Sequence, residues 1–143
     1  MNELTTGKSL PLMDDKAVQA VRAFEEFSLA HCPQVHLETE HEFHAGLYAR
    51  TIMLPADHVL TGAEIRIPTL LILSGDVLVY GVNGTERLTG YQVLKGQAGR
   101  KQLFRAIEDT WMTMLFATDA TTPEEAEEQF TDEYDKLMSR RQG

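Results

Sequence analysis

The sequence predicts a mainly β protein, an antiparallel barrel or sandwich with an α-helix at each end. Its central stretch, Thr69 to Gly84, is TLLILSGDVLVYGVNG, in which two apolar, β-rich runs flank a Ser-Gly-Asp turn signal. Asn83-Gly84 then supplies the dipeptide that best tolerates positive φ at both centres of a two-residue hairpin turn. Further short strand signals, separated by turn residues and by no helical pattern, extend the predicted barrel over residues 43–117.

Length and charge limit the classes of function. A chain of 143 residues fits one domain, predicted over residues 1–143, and its net charge is −9. The acidic residues concentrate in the two ends, while residues 43–117 are nearly neutral. We therefore expect no non-specific DNA binding, which needs a basic face. The single cysteine fits a reducing compartment, and no apolar run is long enough to span a bilayer, so we expect a cytoplasmic protein without a membrane segment or secretory signal.

The N-terminal part predicts an arm followed by a helix. Residues 1–12 are expected to form a loose arm, because they contain Gly and Pro and no periodic pattern. A helix is predicted over residues 14–31, with Asp14 as its N-cap and Pro33 beyond its end. Its apolar residues recur at helical spacing. They are Val18, Val21, Phe24 and Phe27.

The C-terminal part predicts a closing helix over residues 122–141. Thr122 is a suitable N-cap, Pro123 suits the first helical position, and Glu125 completes a capping box. The acidic run 124–128 is interpreted as a solvated first turn that favours the helix dipole. The apolar stripe consists of Ala126, Phe130, Tyr134 and Leu137.

Five potential metal ligands lie within fourteen positions. Imidazole and thiolate bind zinc, but the spacing matches no closed pattern, and we interpret the segment as a polar connection entering a strand. Of the five, His44 is the strongest candidate for a site residue, because it opens a predicted strand, from which its side chain would point into a cavity. The five are His31, Cys32, His36, His41 and His44.

Seven segments of the chain carry a resemblance to a known family. They are GLYART, LTG, LILSGDVLVYG, LTGYQVL, GQAGRKQLFRA, EDTWMTMLF and TPEEAEEQFTDE. The chain resembles small single-domain cupins over residues 41–141, and more narrowly the short cupin-like proteins of tailed phages and prophages. This resemblance implies a double-stranded β-helix barrel, commonly a homodimer, and, for a phage protein, the cytoplasm of the host.

The resemblance also locates where a cupin enzyme would hold its metal. Those enzymes use two histidines and an acid in the first motif and one histidine in the second. The corresponding positions here fall near Gly62 and Glu64, on Pro68 and on Gln102, and none carries imidazole. Such a centre needs three or four N/O ligands, so we predict no metal and no cofactor. His44 and His58 are the only imidazoles that would contribute from outside the motif.

A ligand of another kind is predicted instead, a small anion or a nucleotide. Guanidinium groups bind carboxylate or phosphate, and aromatic rings stack on a base or sugar. If Ile65 and Ile67 pack into the core, Glu64 and Arg66 face solvent; if not, that charged pair lines a cavity. The predicted ligand-binding residues are Tyr48, Arg50, Glu64, Arg66, Tyr80, Arg100, Lys101, Gln102, Arg105 and Trp111.

Three functions follow from this sequence. The leading prediction is a non-catalytic phage-type cupin that binds a small anion, a nucleotide or a host protein, in host takeover or counter-defence. The second is a structural or assembly protein of a phage particle. The third is a cryptic cupin enzyme, either a metal-dependent oxygenase or isomerase, or a metal-free isomerase or lyase that moves a proton through Glu64, His44 or Tyr80.

Overall fold

The structure, a computed structural model, describes residues 8–140. It contains one antiparallel sheet, with one α-helix before its strands in the sequence and another after them. Helix α1 is followed by six strands and then by a short helix α2 and two 3-10 turns. The bounds are α1 Asp15–His31, β1 Glu40–His44, β2 Leu47–Leu54, β3 Val59–Thr61, β4 Thr69–Gly81, β5 Gly84–Gly96, β6 Leu103–Ala117, α2 Pro123–Phe130, and turns Tyr134–Lys136 and Met138–Arg140. The predicted fold class, mainly antiparallel β with flanking helices, is confirmed.

The strands pair in the order β1-β2-β6-β4-β5, and β3 pairs with the first part of β6. On one side β6 pairs with β4 along most of its length. On its other side it pairs with β3 through its first three residues and with β2 through its last eight. The hairpin at Asn83-Gly84 joins β4 to β5, as predicted.

The Ser-Gly-Asp signal is not a turn, and this prediction was wrong. β4 continues through it with a register shift against β6 between Ser74 and Val77. Before this β-bulge the inward residues are Leu71 and Leu73, and after it they are Val77 and Val79. The alternation of β4 is unchanged across this point, because the extra residues lie on β6, where the five residue steps from Trp111 to Ala106 oppose three steps of β4. Gly75 and Asp76 thus lie opposite a bulge of β6 inside one continuous strand, where the sequence predicted a break between two strands.

Both predicted ends need correction. Residues 1–7 of the predicted arm lie outside the described residues, but residues 8–12 are not loose. Backbone hydrogen bonds join Lys8 and Leu10 to Lys95, and the N–H of Val82 donates to Leu12 at 2.9 Å. The exposed fraction of Leu10 is 3% because it packs into the barrel core.

The closing helix begins at its predicted cap but is shorter than predicted. Thr122 accepts from the N–H of Glu125, and α2 ends at Phe130 with Thr131 as its C-cap. Two 3-10 turns, Tyr134–Lys136 and Met138–Arg140, follow it, and Arg141 lies outside the described residues. Helix α1 was predicted correctly, including the Asp14 cap, which accepts from the N–H of Ala17.

Two apolar clusters fill the structure. The larger lies inside the barrel and includes Leu54, Leu73 and Phe104. The smaller joins Tyr48 and Phe116 of the sheet to Phe130 of α2, and Met114 packs against both. No helix among residues 8–140 is long and apolar enough to span a membrane.

Candidate anion site in the barrel

Arg100 is buried inside the barrel wall with only 5% of its surface exposed. The segment before β6 holds it there, because Ile65 and Arg100 form an isolated antiparallel bridge. Its guanidinium lies over Gly96, where an added Cβ would stand 2.5 Å from the Arg100 Cζ. Only glycine at position 96 admits the guanidinium in this place.

Every hydrogen-bond partner of this guanidinium is neutral. Nη2 donates to Thr69 Oγ1 at 2.6 Å, Nη1 to the carbonyl oxygen of Gln97 at 2.9 Å, and Nε to Gln102 Oε1 at 3.2 Å. The sulfur of Met114 lies 4.0 Å from Nη2. Within residues 8–140 no carboxylate forms an ion pair with Arg100, so its positive charge is buried without a counter-ion.

Beside the unpaired charge of Arg100, Gln102 has a buried amide nitrogen without a hydrogen-bond partner among the described residues. It precedes the core residue Phe104 by two positions, so strand alternation turns its side chain toward the interior, and it is 5% exposed. Its Oε1 accepts from Arg100, but its Nε2 is buried and has no hydrogen-bond partner in the described structure. A buried amide without a partner costs about 1–3 kcal/mol. The Gln102 amide thus lacks a hydrogen-bond acceptor, and the Arg100 guanidinium, whose acceptors are all neutral, lacks a negative one.

Burial lowers the pKa of Arg100 to about 10. Desolvation disfavours the charged form, and no nearby anion offsets it. An anion bound beside the guanidinium would remove this penalty, because it would restore the charge balance that the fold leaves open.

Arg50 and Tyr48 form a different network that is already neutralised. Arg50 Nη1 lies 2.7 Å from Glu127 Oε2, and its guanidinium stacks over Phe130, with the Cζ 5.4 Å from the ring centroid. The hydroxyl of Tyr48, which is fully buried, accepts from Arg50 and lies 2.6 Å from His41 Nδ1. The interpretation of the 124–128 run as solvated was wrong for Glu127, whose exposed fraction is 1%.

Glu64, Arg66 and Lys101 lie toward α1 and the C-terminal segment. Ile65 and Ile67 pack on the smaller core cluster, so the charged pair faces outward, as the first alternative predicted. Arg66 pairs with Asp132, and Glu64 with Arg22 of α1. These residues and Glu133 line a polar cleft of about 190 Å³. Since both of its arginines are ion-paired and its acids outnumber them, this cleft is a poor anion site.

Lys101 is buried and ion-paired, so its charge is not free to bind a ligand. It is 1% exposed, and its Nζ lies 3.0 Å from Glu133 Oε1 and 3.2 Å from Glu25 Oε1. It also donates to the carbonyl oxygen of Gly62 at 2.9 Å. Lys101 thereby ties α1 and the C-terminal segment to the loop after β3.

The ion pair between Lys101 and Glu133 is sensitive to acid, because it needs the ionised Glu133 carboxylate. Burial raises the pKa of its carboxyl, but hydrogen bonds from the Glu64 N–H, Arg22 and Lys101 outweigh burial and lower the pKa to about 2. A depressed folded-state pKa stabilises the protein above the unfolded value of 4.5, and the contribution is lost as pH falls from there to about 2.

We expect Glu133→Gln to lower the free energy of unfolding at pH 7 by about 3 kcal/mol. The variant should also lose less of that free energy than the wild type when the pH is lowered from 4.5 to 2. Urea denaturation at several pH values measures both quantities. Glu26→Gln, at an exposed position on α1, is the matched control and should change neither. An unaltered acid profile in Glu133→Gln would contradict this account.

Three predicted residues lie away from the barrel interior. Arg105 and Trp111 are exposed on β6, and Tyr80 is half-buried on β4 between the inward positions Val79 and Gly81. The ten predicted residues therefore belong to several places. Among them, only Arg100 combines burial with a charge that no described carboxylate neutralises, and only Gln102 has a buried donor without a partner. Sequence reasoning missed Thr69, although its position two residues before the inward Leu71 signals that it faces the interior.

The donor set does not fit the metal centre of cupin enzymes. Glu64 is engaged with Arg22 at the cleft, and Gln102, at the position of the second-motif histidine, presents its oxygen to Arg100. A cation bound there would stand against a buried guanidinium. Among residues 8–140 no group of three or more His, Cys, Asp or Glu has the arrangement to hold a metal ion. His44 is exposed, and His58 Nδ1 lies 3.0 Å from the carbonyl oxygen of Ala56.

Comparison with solved structures found chains of similar fold. Ectoine synthase from P. lautus matches with a TM-score of 0.51 and 15% identity, over 68% of this chain and 75% of that one. A cupin superfamily protein from Desulfitobacterium hafniense matches with a TM-score of 0.49 and 13% identity, over 79% and 100%. The Cupin_2 domain of an XRE family transcriptional regulator from Enterobacter cloacae gives 0.46 and 10%, over 57% and 96%.

The fold is thus similar to that of ectoine synthase, and the structures compared include a cupin superfamily protein. At these identities the likeness extends to the fold alone. Comparison with models of protein families and with curated proteins found no match.

Proposed function

We propose that this protein is a binding module that holds a small anionic ligand inside the barrel, with Arg100 as the charged receptor. The observation that carries the proposal is a guanidinium that is 5% exposed and has only neutral partners. Buried charges in proteins are normally paired. The adjacent Gln102 Nε2, buried and without a partner, is a second donor for the same ligand.

The chemistry of these donors selects carboxylate or phosphate. A guanidinium binds either group with charge-assisted hydrogen bonds, and an amide N–H adds one more. No carboxylate or imidazole contacts Arg100 within residues 8–140, so the site offers positive charge without an acid–base pair beside it. This composition favours binding over catalysis. A nucleotide ligand, a phage origin with counter-defence and an assembly role remain predictions from the sequence.

Thermal denaturation in the presence of single anions tests the proposal. A ligand held only by the folded state raises the melting temperature, so at least one of a set of phosphates, nucleotides and small carboxylic acids should do so. In Arg100→Met the same ligand should give no shift. Arg105→Met, an exposed arginine of β6, is the matched control and should keep the full shift.

A second variant separates loss of binding from loss of folding. Gln102→Met keeps the charge but removes the free amide, and we expect it to fold and to reduce the shift without abolishing it. Absence of a shift across the whole set in the wild-type protein would overturn the proposal. Equal shifts in wild type and Arg100→Met would locate the ligand elsewhere.

A further inference from the structure

The site around Arg100 offers a single positive charge. Lys101, the next residue, forms ion pairs with Glu25 and Glu133, so its charge is already balanced. A monoanion beside the guanidinium would therefore make the site neutral. A phosphate monoester carries about −1.5 to −2 charges at pH 7 and would leave a net negative charge in a buried place. Because an uncompensated buried charge is strongly destabilising, the charge balance favours a carboxylate.

The hydrogen-bond donors at the site also match a carboxylate. A guanidinium has five N–H groups, and three of those of Arg100 donate to oxygens of Thr69, Gln97 and Gln102. Of the other two, one is directed at the sulfur of Met114, a weak acceptor 4.0 Å from Nη2. The Gln102 amide adds Nε2, whose orientation is fixed because Oε1 accepts from Arg100. Two guanidinium N–H groups and one amide suit the two oxygens of a carboxylate.

The backbone N–H groups beside Arg100 are already used. Phosphate sites commonly gather several backbone N–H groups in a glycine-rich loop or at a helix N-terminus. Here the N–H groups of Gly99 and Arg100 both donate to the carbonyl oxygen of Ile65, at 2.7 and 3.4 Å. A phosphate would therefore receive no backbone donor from these two residues.

An apolar layer lies directly next to the guanidinium. Thr69 pairs with Gly96, over which the guanidinium lies, and the next inward pair of the same two strands is Leu71 with Leu94. Leu71 also pairs with Met114 of β6. Leu71 and Leu94 are both buried in the barrel core. The part of a ligand that extends from its anionic group along the strands would therefore contact hydrocarbon.

We propose that the ligand is a small aliphatic monocarboxylate, with its carboxylate on Arg100 and Gln102 and its hydrocarbon part against Leu71 and Leu94. This inference rests on the anion-binding function proposed above and narrows the anion to one chemical class. It combines a site of one positive charge with an apolar layer beside it, and each of these features acts against a nucleotide or a sugar phosphate.

Met114 is the side chain that such a ligand displaces. Its sulfur lies against Arg100 Nη2, and the residue is only partly buried and packs on both apolar clusters. An unbranched thioether has three rotatable bonds and adapts to irregular space. Rotation of Met114 exchanges a weak acceptor for a carboxylate oxygen and leaves room for a short alkyl chain.

Calorimetric titration with two anions that share an alkyl chain tests the chemical class. The wild-type protein should bind butanoate at least about tenfold more tightly than butyl phosphate, because the dianion leaves a buried charge. Methyl butanoate, which has a similar chain and no charge, should not bind. Arg100→Met should lose butanoate binding, and Arg105→Met, at an exposed position on β6, is the matched control and should keep it.

The possible results separate this inference from the function on which it rests. Butyl phosphate or a nucleotide bound more tightly than butanoate, and lost in Arg100→Met, would overturn the carboxylate class but leave the anion site in place. No binding of any anion by the wild-type protein would overturn both. Butanoate bound equally by wild type and Arg100→Met would also overturn both, because the ligand would then lie elsewhere.

A series of acids from propanoate to hexanoate tests the apolar layer. Affinity for the wild-type protein should rise about fourfold with each added methylene that becomes buried. Met114→Ala enlarges the space beside the guanidinium and should increase the ratio of hexanoate to propanoate affinity. Met53→Ala, at a partly buried position next to the inward Leu54 on β2, is the matched control and should keep the wild-type ratio.

The ratio of two affinities is compared within one variant, so it does not depend on a change in stability, and circular dichroism should show that both variants are folded. An affinity of the wild-type protein that does not change with chain length would contradict the hydrocarbon contact. An unchanged ratio in Met114→Ala would contradict the displacement of Met114.

Discussion

Glu127→Gln should lower the free energy of unfolding by about 3–5 kcal/mol, the range expected when one partner of a buried ion pair is removed. The carboxylate is 1% exposed and lies 2.7 Å from Arg50 Nη1 and 2.6 Å from Arg140 Nε, and it accepts from Ser139 Oγ at 2.5 Å. Burial raises the pKa of Glu127, but hydrogen bonds from Ser139, Arg50 and Arg140 outweigh it and lower the pKa. The neutral amide would leave two guanidinium groups without their anion.

Glu128→Gln is the matched control, one residue along α2. Its side chain is 55% exposed and lies 3.5 Å from Arg140, so we expect a change below about 1 kcal/mol. Urea denaturation at pH 7 measures both variants. Because Glu127 joins α2, β2 and the last 3-10 turn, a small effect would mean that the C-terminal segment is not fastened to the barrel in this way.

Gly75→Ala is expected to destabilise the protein by about 3 kcal/mol or more, as overpacking against backbone does. Gly75 has a φ of 152° and lies in β4 opposite the bulge of β6. A Cβ there would lie 2.4 Å from Thr110 Oγ1 and 2.7 Å from the carbonyl oxygen of Asp109. Thr110 is itself fixed, because its hydroxyl bonds the N–H and carbonyl of Asp76.

Gly84→Ala separates backbone strain from this close contact. Gly84 has a φ of 95°, but an added Cβ would meet nothing within 4 Å. It should therefore cost only about 1 kcal/mol, the ordinary penalty for positive φ. If the two variants unfold at the same denaturant concentration, the bulge does not pack as tightly as described.

Local signals predicted where the helices begin and where the hairpin lies, but not where α2 ends. Asp14 and Thr122 cap their helices as the sequence indicated, because an N-cap depends on residues within one turn. Strand continuity was harder to predict. Gly75 and Gly90 resemble turn residues, yet both lie inside 13-residue strands, because a glycine suits a bulge or bend as well as a chain reversal.

The candidate site could be predicted only in part. The sequence predicted an anion receptor from Arg100, Lys101 and Arg105 around the second cupin motif, and only Arg100 is a buried cation without an ion pair in the described structure. Gln102, also among the predicted residues, lies beside it. The partners of the other cations lie far away in sequence, such as Glu127 for Arg50, 77 residues on. No local pattern reveals such pairs, so the sequence could not distinguish a neutralised arginine from an unneutralised one.

Isothermal titration of the best stabilising anion into the wild-type protein and Arg100→Met tests the central claim most directly. We expect one ligand per chain, and binding weaker by about 30-fold or more in the variant, since a buried charge-assisted contact contributes about 2 kcal/mol or more. Arg105→Met should bind like the wild type. Equal affinities in wild type and Arg100→Met would contradict the claim that the buried guanidinium receives the ligand.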